Sequence, residues 1–141
     1  MNVNASPVYV VEIASSCEFM PEVIDRVVET LCEHGAITQA REAKVRICMQ
    51  EGIVNAIRHG NKGQVEKHVR VELCADASGW AIKIYDEGDG FNPDKVVLPD
   101  SASAGGRGLC LMRHFMDGVE FDPDLKCLEL RIAAPQQTQG D

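Results

Sequence analysis

The sequence contains no apolar run that approaches the ~18 residues a membrane span needs. Its N-terminus has no basic segment followed by an apolar stretch, which is the pattern of a secretory signal. Basic residues are not in excess: 14 Lys and Arg stand against 22 Asp and Glu, a formal net charge of −8. We therefore expect a cytoplasmic location without a membrane or nucleic-acid partner, because contacts to phosphates require a basic surface.

The sequence also lacks the spacings of a disulfide framework or a metal centre. No two of its six cysteines form a C-x-x-C pair, and its four histidines do not have metal-ligand spacing. Most of the cysteines lie within apolar patterns, where free cysteine behaves as a small hydrophobic residue. We therefore expect reduced thiols that contribute to the core.

What the chain does contain suits one domain of ordinary size. It has 141 residues, of which 45% are hydrophobic and 26% charged, as in soluble globular proteins. We expect a single domain at residues 8–134, with polar tails at residues 1–7 and 135–141.

Apolar residues at helical spacing predict three helices, at residues 19–33, 38–59 and 109–116. Thr38 is a suitable N-cap for the second helix, and Gly35 and Gly60 are suitable stops for the first and second. Residues 86–106 show no periodicity, and a loop of that length in a small domain is usually functional or disordered.

Five strands are predicted, at residues 8–13, 69–75, 80–84, 119–121 and 128–132. The second and third alternate apolar with polar residues and are separated by the turn sequence Asp76-Ala-Ser-Gly79, which predicts an antiparallel hairpin. Helices and strands alternate irregularly along the chain. This order predicts an α+β fold, a two-layer sandwich with a mixed, mostly antiparallel sheet and helices on one face.

Glu51, Asn55 and His59 form one polar stripe on the second predicted helix, because residues four apart share a helix face. The surrounding residues are mostly apolar, so we expect a buried helix whose stripe faces an interior cavity. The side-chain oxygen of Asn55 is a suitable Mg²⁺ ligand, and Glu51 could accept a proton from an attacking hydroxyl or water. A solvated stripe is the alternative, although such stripes usually pair Lys with Glu.

Asp86 directly follows a predicted strand and begins the sequence D-x-G-x-G. A carboxylate in that place can accept a hydrogen bond from the exocyclic amine of adenine. Gly88 and Gly90 would let the loop backbone approach the base and sugar, since they have no Cβ atom. The motif alone is weak, because a simple acidic turn has the same sequence.

Gly105, Gly106, Arg107, Gly108 and Leu109 lead into the third predicted helix. Backbone N–H groups at such a junction can hold phosphates, and Arg107 could contact a terminal phosphate. Glycine is common before helices, so this motif is also weak alone. Neither the P-loop pattern nor the Rossmann fingerprint is present.

The order of the three motifs is more specific than any one of them. Helical E-x-x-x-N-A-x-x-H-G, then D-x-G-x-G, a loop, and G-x-G-L before a helix resemble the ATP-binding domain of gyrase, Hsp90, histidine kinases and MutL. Residues 8–132 carry the resemblance. Within that superfamily the chain is most similar to the bacterial anti-sigma-factor serine kinases, because Glu51 precedes Asn55 by four residues and Leu-Met-Arg-His-Phe-Met-Asp117 follows the last glycines.

The resemblance implies ATP or ADP with Mg²⁺ as cofactors. It implies Glu51 as general base, Asn55 on Mg²⁺, Asp86 on adenine, and residues 92–104 as a lid over the nucleotide. The remaining expected nucleotide contacts are His59, Gly88, Gly90, Gly105, Gly106, Arg107, Gly108 and Leu109. Family members bind a sigma factor, phosphorylate a serine of an anti-anti-sigma protein, and usually act as homodimers.

Two other functions stay open on the sequence alone. The family commonly has a Gly-Thr step before its last strand, whereas this chain has Leu125-Lys126 followed by Cys127. That departure favours the alternative of a non-catalytic nucleotide-binding module that regulates its partner by sequestration. The catalytic domain of a histidine kinase is less expected, because no dimerisation helices or phospho-acceptor histidine segment precede the domain.

Overall fold

The computed structural model describes residues 7–88 and 104–134, with the backbone alone for residues 104–109. The five strands are β1 (Pro7–Ala14), β2 (His68–Asp76), β3 (Gly79–Tyr85), β4 (Gly118–Asp122) and β5 (Cys127–Ala133). They form one sheet in the order β1-β2-β3-β5-β4, and every described pair is antiparallel. The predicted α+β fold is confirmed, as are the five strands and the hairpin between β2 and β3.

Three helices accompany the sheet: α1 (Met20–Glu33), α2 (Gln39–Asn55) and α3 (Ala104–Phe115). The predicted α1 is confirmed, and the second helix ends close to the predicted His59, although its last turn differs in type. The α-helical part of α2 ends at Asn55 and continues as a π-helical turn, Ala56–Gly60. Helix α3 begins at Ala104 instead of Leu109. None of the helices in the described ranges combines the length and apolar character needed to cross a bilayer.

The end of α1 follows from Gly35, which has a φ of +69°. Its N–H donates to the carbonyl of Cys32 at 3.0 Å, and the N–H of Ala36 donates to the carbonyl of Leu31 at 2.8 Å. These two bonds form a Schellman motif, which satisfies carbonyls at the end of the helix. Thr38 is the N-cap residue of α2, as predicted, although its side chain makes no capping hydrogen bond.

The core lies between the helices and one face of the sheet. Val27, Leu31, Met49 and Ile53 from α1 and α2 are fully buried against inward-facing strand residues such as Leu130. Helix α2 is nevertheless not buried all round, because Ile47 is 39% exposed. The expectation of a buried, all-round apolar helix was therefore wrong. The neighbouring elements cover only part of the apolar surface of this helix.

Cys48 is a core residue, as predicted, whereas Cys74 and Cys127 are buried on the other face of the sheet. Cys17 and Cys110 are exposed.

Candidate functional site

Glu51 and Asn55 lie one turn apart on the last turns of α2. Glu51 is half-buried, whereas Asn55 is only 2% exposed. His59 is exposed. After Asn55 the backbone widens into the π-helical turn, so a residue four positions later no longer shares the face of Asn55. The expectation of an interior stripe was therefore wrong for His59, which is exposed, and the nucleotide contacts of Glu51, Asn55 and His59 stay predictions.

The side-chain nitrogen of Asn55 has no hydrogen-bond partner among the described residues, although it is buried. Such a group costs about 1–3 kcal/mol when it is left unsatisfied. Unsatisfied buried polar groups in native proteins commonly belong to sites that bind a ligand, water or ion. An amide of this kind beside a carboxylate fits a polyphosphate with Mg²⁺, because it offers both a donor for phosphate oxygens and an oxygen for the metal.

Asp86 follows β3 directly and is 8% exposed. Its backbone N–H donates to the carbonyl of Lys126 at 3.2 Å, and its Oδ1 accepts the N–H of Gly88 at 2.9 Å. These bonds fix a tight turn at the edge of the core. The carboxylate lines a small cavity with apolar walls, of about 10 Å³, room for roughly one water. The other lining residues are Gly52, Ala56, Ile84, Phe121 and Leu128.

Two glycines let the end of α2 reach this turn. A Cβ atom on Gly60 would lie 2.4 Å from the Asp86 carboxyl carbon. A Cβ atom on Gly88 would lie 1.7 Å from the carbonyl oxygen of Gly60. Gly88 was predicted to make room for a base and sugar, but its close neighbour in the structure is this backbone carbonyl. Sequence analysis assigned Gly60 only a helix stop and missed its contact with Asp86.

Asn61 is a further buried polar residue that the sequence analysis assigned only to a turn. Its side chain is fully buried and accepts the backbone N–H of Glu87 at 2.8 Å, next to Asp86. Asparagine is frequent in solvated turns, so its type alone does not reveal burial. The sequence signal was its place directly after the Asn-Ala-x-x-His-Gly segment.

Helix α3 runs antiparallel to α2. Arg41 near the start of α2 donates to the carbonyl of Phe115 at 3.0 Å, near the end of α3. The Cys48 thiol, further along α2, lies 3.9 Å from the carbonyl of Leu111, nearer the start of α3. The N-terminus of α3 therefore points toward the end of α2 that carries Glu51 and Asn55. Helix N-termini present unpaired N–H groups and the positive end of the helix dipole, which favour anions.

The glycine segment lies within α3 rather than before it. Because the helix begins at Ala104, residues 105–108 form its first turn, and the prediction of a loop there was wrong. The side chains of Arg107 and Leu109 lie outside the described part of the structure, as do Gly90 and residues 92–103 of the predicted lid.

The stretch that departs from the family pattern forms the β4–β5 turn. Lys126 has a φ of 55°, in the left-handed region, and Cys127 lies opposite Tyr85 on the outer face of the sheet. Burial raises the pKa of the Cys127 thiol to about 12. The β5 side chain that faces the Asp86 cavity is Leu128. An apolar side chain of β5 therefore lies beside the carboxylate.

Comparisons with known proteins agree with this architecture. Residues 13–132 match the model of the histidine kinase-like ATPase domain. The chain is 27% identical over 99 residues to the serine/threonine-protein kinase BtrW of Bordetella bronchiseptica, covering 63% of this chain and 70% of that protein. It is 30% identical over 89 residues to the anti-sigma F factors of Bacillus thuringiensis and Bacillus mycoides, covering 59% of this chain and 61% of each.

The chain thus spans less than two thirds of the length of the anti-sigma F factors it matches. The family match, in contrast, covers most of the chain and includes all three motif segments. The resemblance drawn from the motif order is confirmed, and the chain belongs to the histidine kinase-like ATPase domain family.

Proposed function

We propose that this protein is an ATP-dependent serine/threonine kinase and anti-sigma factor that phosphorylates an anti-anti-sigma protein. The observation that carries the proposal is the side-chain nitrogen of Asn55, which is buried one turn after Glu51 and has no hydrogen-bond partner among the described residues. The names of the relatives, a serine/threonine-protein kinase and anti-sigma F factors, support the same activity. In this proposal the protein acts as a homodimer and also binds a sigma factor.

Asp86 and its cavity would hold the adenine base. The carboxylate is the polar group of an otherwise apolar slot, so a planar base can bury its faces while its exocyclic amine donates to Asp86. The cavity is smaller than a base, and binding therefore requires the side chains of Ile84, Phe121 or Leu128 to shift.

Asn55 and the N-terminus of α3 would hold the phosphates. The amide of Asn55 provides a donor for a phosphate oxygen and an oxygen ligand for Mg²⁺. The N–H groups of the first turn of α3 add donors from the other side. Mg²⁺ held by Asn55 would supply positive charge against the phosphates, as in other phosphoryl-transfer sites.

Glu51 would act as general base. Its half-buried side chain leaves one side open to a protein hydroxyl. The serine hydroxyl loses its proton to the Glu51 carboxylate while its oxygen bonds to the γ-phosphorus. The bond from that phosphorus to the bridging oxygen breaks, and ADP leaves. A positioned general base typically contributes about 10²–10⁴-fold to the rate.

Replacing Glu51 with Gln tests this assignment. The substitution keeps the size of the side chain and removes the proton acceptor, so transfer to a cognate anti-anti-sigma protein should fall about 100-fold or more. ATP affinity should change little. Serine phosphorylation measured by mass spectrometry, with ATP binding measured in parallel, separates the two effects. Equal phosphorylation by wild type and variant would remove Glu51 from the mechanism.

The departure from the Gly-Thr step at Leu125-Lys126 favours a second candidate, a nucleotide-binding anti-sigma module without phosphotransfer. In the described part of the structure, the β5 side chain that lines the Asp86 cavity is the apolar Leu128, which gives the carboxylate no hydroxyl partner there. Such a module would regulate its partner by sequestration alone. Sequestration that persists in Asn55→Ala, with no phosphorylated partner detected in the wild type, would favour this candidate over the kinase.

A further inference from the structure

Asn61 joins three separate segments of the chain through its side chain. Its Nδ2 donates to the hydroxyl of Ser15 at 2.8 Å, just beyond β1, and to the carbonyl of His68 at 3.0 Å, at the start of β2. Its Oδ1 accepts the N–H of Glu87 at 2.8 Å, in the turn after β3. Both donor protons and the oxygen are therefore used, so this one amide holds the three segments together.

The backbone of Gly60, just before Asn61, packs against the same turn, residues 86–88. Gly60 lies against the carboxylate of Asp86, and its carbonyl lies against Gly88, so closely that neither glycine has room for a Cβ atom. Asp86 and Gly88 are thus fixed by packing on Gly60 and by the hydrogen bond from Glu87 to Asn61.

Asn61 is also tied to the helix that carries Asn55. Its N–H donates to the carbonyl of Ala56 at 2.8 Å, which closes the π-helical turn. Asn55 and Asp86 are therefore linked through one short segment, the π-helical turn Ala56–Gly60 and Asn61. A displacement of Asn61 would move the Asp86 turn relative to the end of α2.

We propose that Asn61 is the positioning residue that sets the Asp86 carboxylate for recognition of the base, and so determines adenine selectivity. The inference rests on the proposed nucleotide-binding function. Asn61 acts through Glu87 and the turn, without a contact to the nucleotide. Loss of its Oδ1 frees the Glu87 N–H, the turn relaxes, and the hydrogen bond from the adenine amine to Asp86 lengthens.

The test compares ATP with ITP, whose base carries a carbonyl in place of the exocyclic amine. Affinities are measured by calorimetry, with competition for the weaker ligand, on the wild type, Asn61→Ala and Ser15→Ala. We expect wild type to prefer ATP by about tenfold, and Asn61→Ala to lose most of that preference, since one hydrogen bond accounts for a change of this size. Ser15→Ala removes a partner of the Asn61 nitrogen, leaves the bond from Glu87 to the Asn61 oxygen in place, and should keep the wild-type ratio.

The ratio separates positioning from a loss of stability, because partial unfolding weakens ATP and ITP binding equally. An unchanged ratio in folded Asn61→Ala would overturn this inference and leave the proposed function intact. No binding of either nucleotide to wild type would overturn the proposed function, and the role of Asn61 in base recognition with it.

Should Asn61→Ala fail to fold, the wild type still tests the proposal. The side-chain amide protons of Asn61 should shift in NMR spectra on addition of ATP, and much less on addition of ITP. Identical shifts with the two nucleotides would overturn the inference.

Discussion

At the scale of single residues, two buried asparagines have opposite hydrogen-bonding states. Within the part of the chain that the structure describes, the side-chain nitrogen of Asn55 has no hydrogen-bond partner, whereas both donor protons of Asn61 are used. An unpaired buried amide is costly unless a ligand completes it, and a paired one makes its surroundings rigid. The state of Asn55 therefore suits a residue that binds a ligand, and the state of Asn61 suits a residue that supports a ligand-binding side chain.

Gly60 should not tolerate even a methyl group. Its Cβ atom in Gly60→Ala would lie 2.4 Å from the Asp86 carboxyl carbon, so the turn must shift. We expect ATP affinity to fall at least tenfold and the free energy of unfolding to fall by about 1–3 kcal/mol. Calorimetry and urea denaturation measure the two changes.

Gly118→Ala is the matched control, because the nearest atom to its new Cβ would be Arg131 Cβ at 3.5 Å, an ordinary contact. Its ATP affinity should match that of wild type. Wild-type affinity in Gly60→Ala would show that the position of Asp86 does not depend on this close approach.

At the scale of elements, the arrangement of α2 and α3 determines where the phosphates would bind. Arg41 holds the C-terminal end of α3 through the Phe115 carbonyl and through Asp117, at 3.2 Å. Asp117 in turn accepts the N–H of Ala133 at 2.8 Å, just inside the end of β5. This network ties both helices to the sheet and so orients the N-terminus of α3.

Arg41→Ala should therefore lower stability more than the loss of an ordinary surface ion pair. We expect the free energy of unfolding to fall by about 1–2 kcal/mol, because a charged donor to a backbone carbonyl is lost with the ion pair. Arg46→Ala is the control on the same helix. Its contact with Asp25, at 2.7 Å, is an exposed pair, so the loss should be within about 1 kcal/mol. Equal losses in urea denaturation would contradict the special role of Arg41.

The sequence predicted the strands and α1 closely, because alternation and the stop at Gly35 are local signals. It did not predict the π-helical turn, since Ala56 and Ile57 are apolar and buried and suit either helix type. It also placed the start of α3 too late, because glycine has a low helix propensity and three glycines lie in its first turn. Asn61 was missed because burial of a turn residue depends on distant segments.

At the scale of the whole molecule, the core lies on the helix-covered face of one antiparallel sheet. The other face is partly buried and contains both polar and apolar side chains. Cys127 lies on this outer surface in a cavity of about 300 Å³ with Tyr85, Lys83 and Glu129. Its thiol is buried, so folding disfavours the thiolate there.

Stability should consequently fall in alkaline solution. Burial raises the pKa of the Cys127 thiol from 9.0 to about 12. The unfolded chain therefore loses this proton first, and the stabilisation, fully present below pH 9, is lost as pH rises toward 12. In Cys127→Ala the free energy of unfolding should decline less steeply over that window. Parallel declines in the two proteins would contradict the assignment.

The central claim is that the buried side-chain amide of Asn55 belongs to a Mg²⁺-nucleotide site, and ATP binding tests it most directly. Calorimetry with ATP and Mg²⁺ on wild type, Asn55→Ala and the exposed control Gln50→Ala gives the comparison. We predict roughly micromolar binding to wild type and Gln50→Ala, and at least tenfold weaker binding to Asn55→Ala. Equal affinity in all three proteins, or no binding to wild type, would contradict the account.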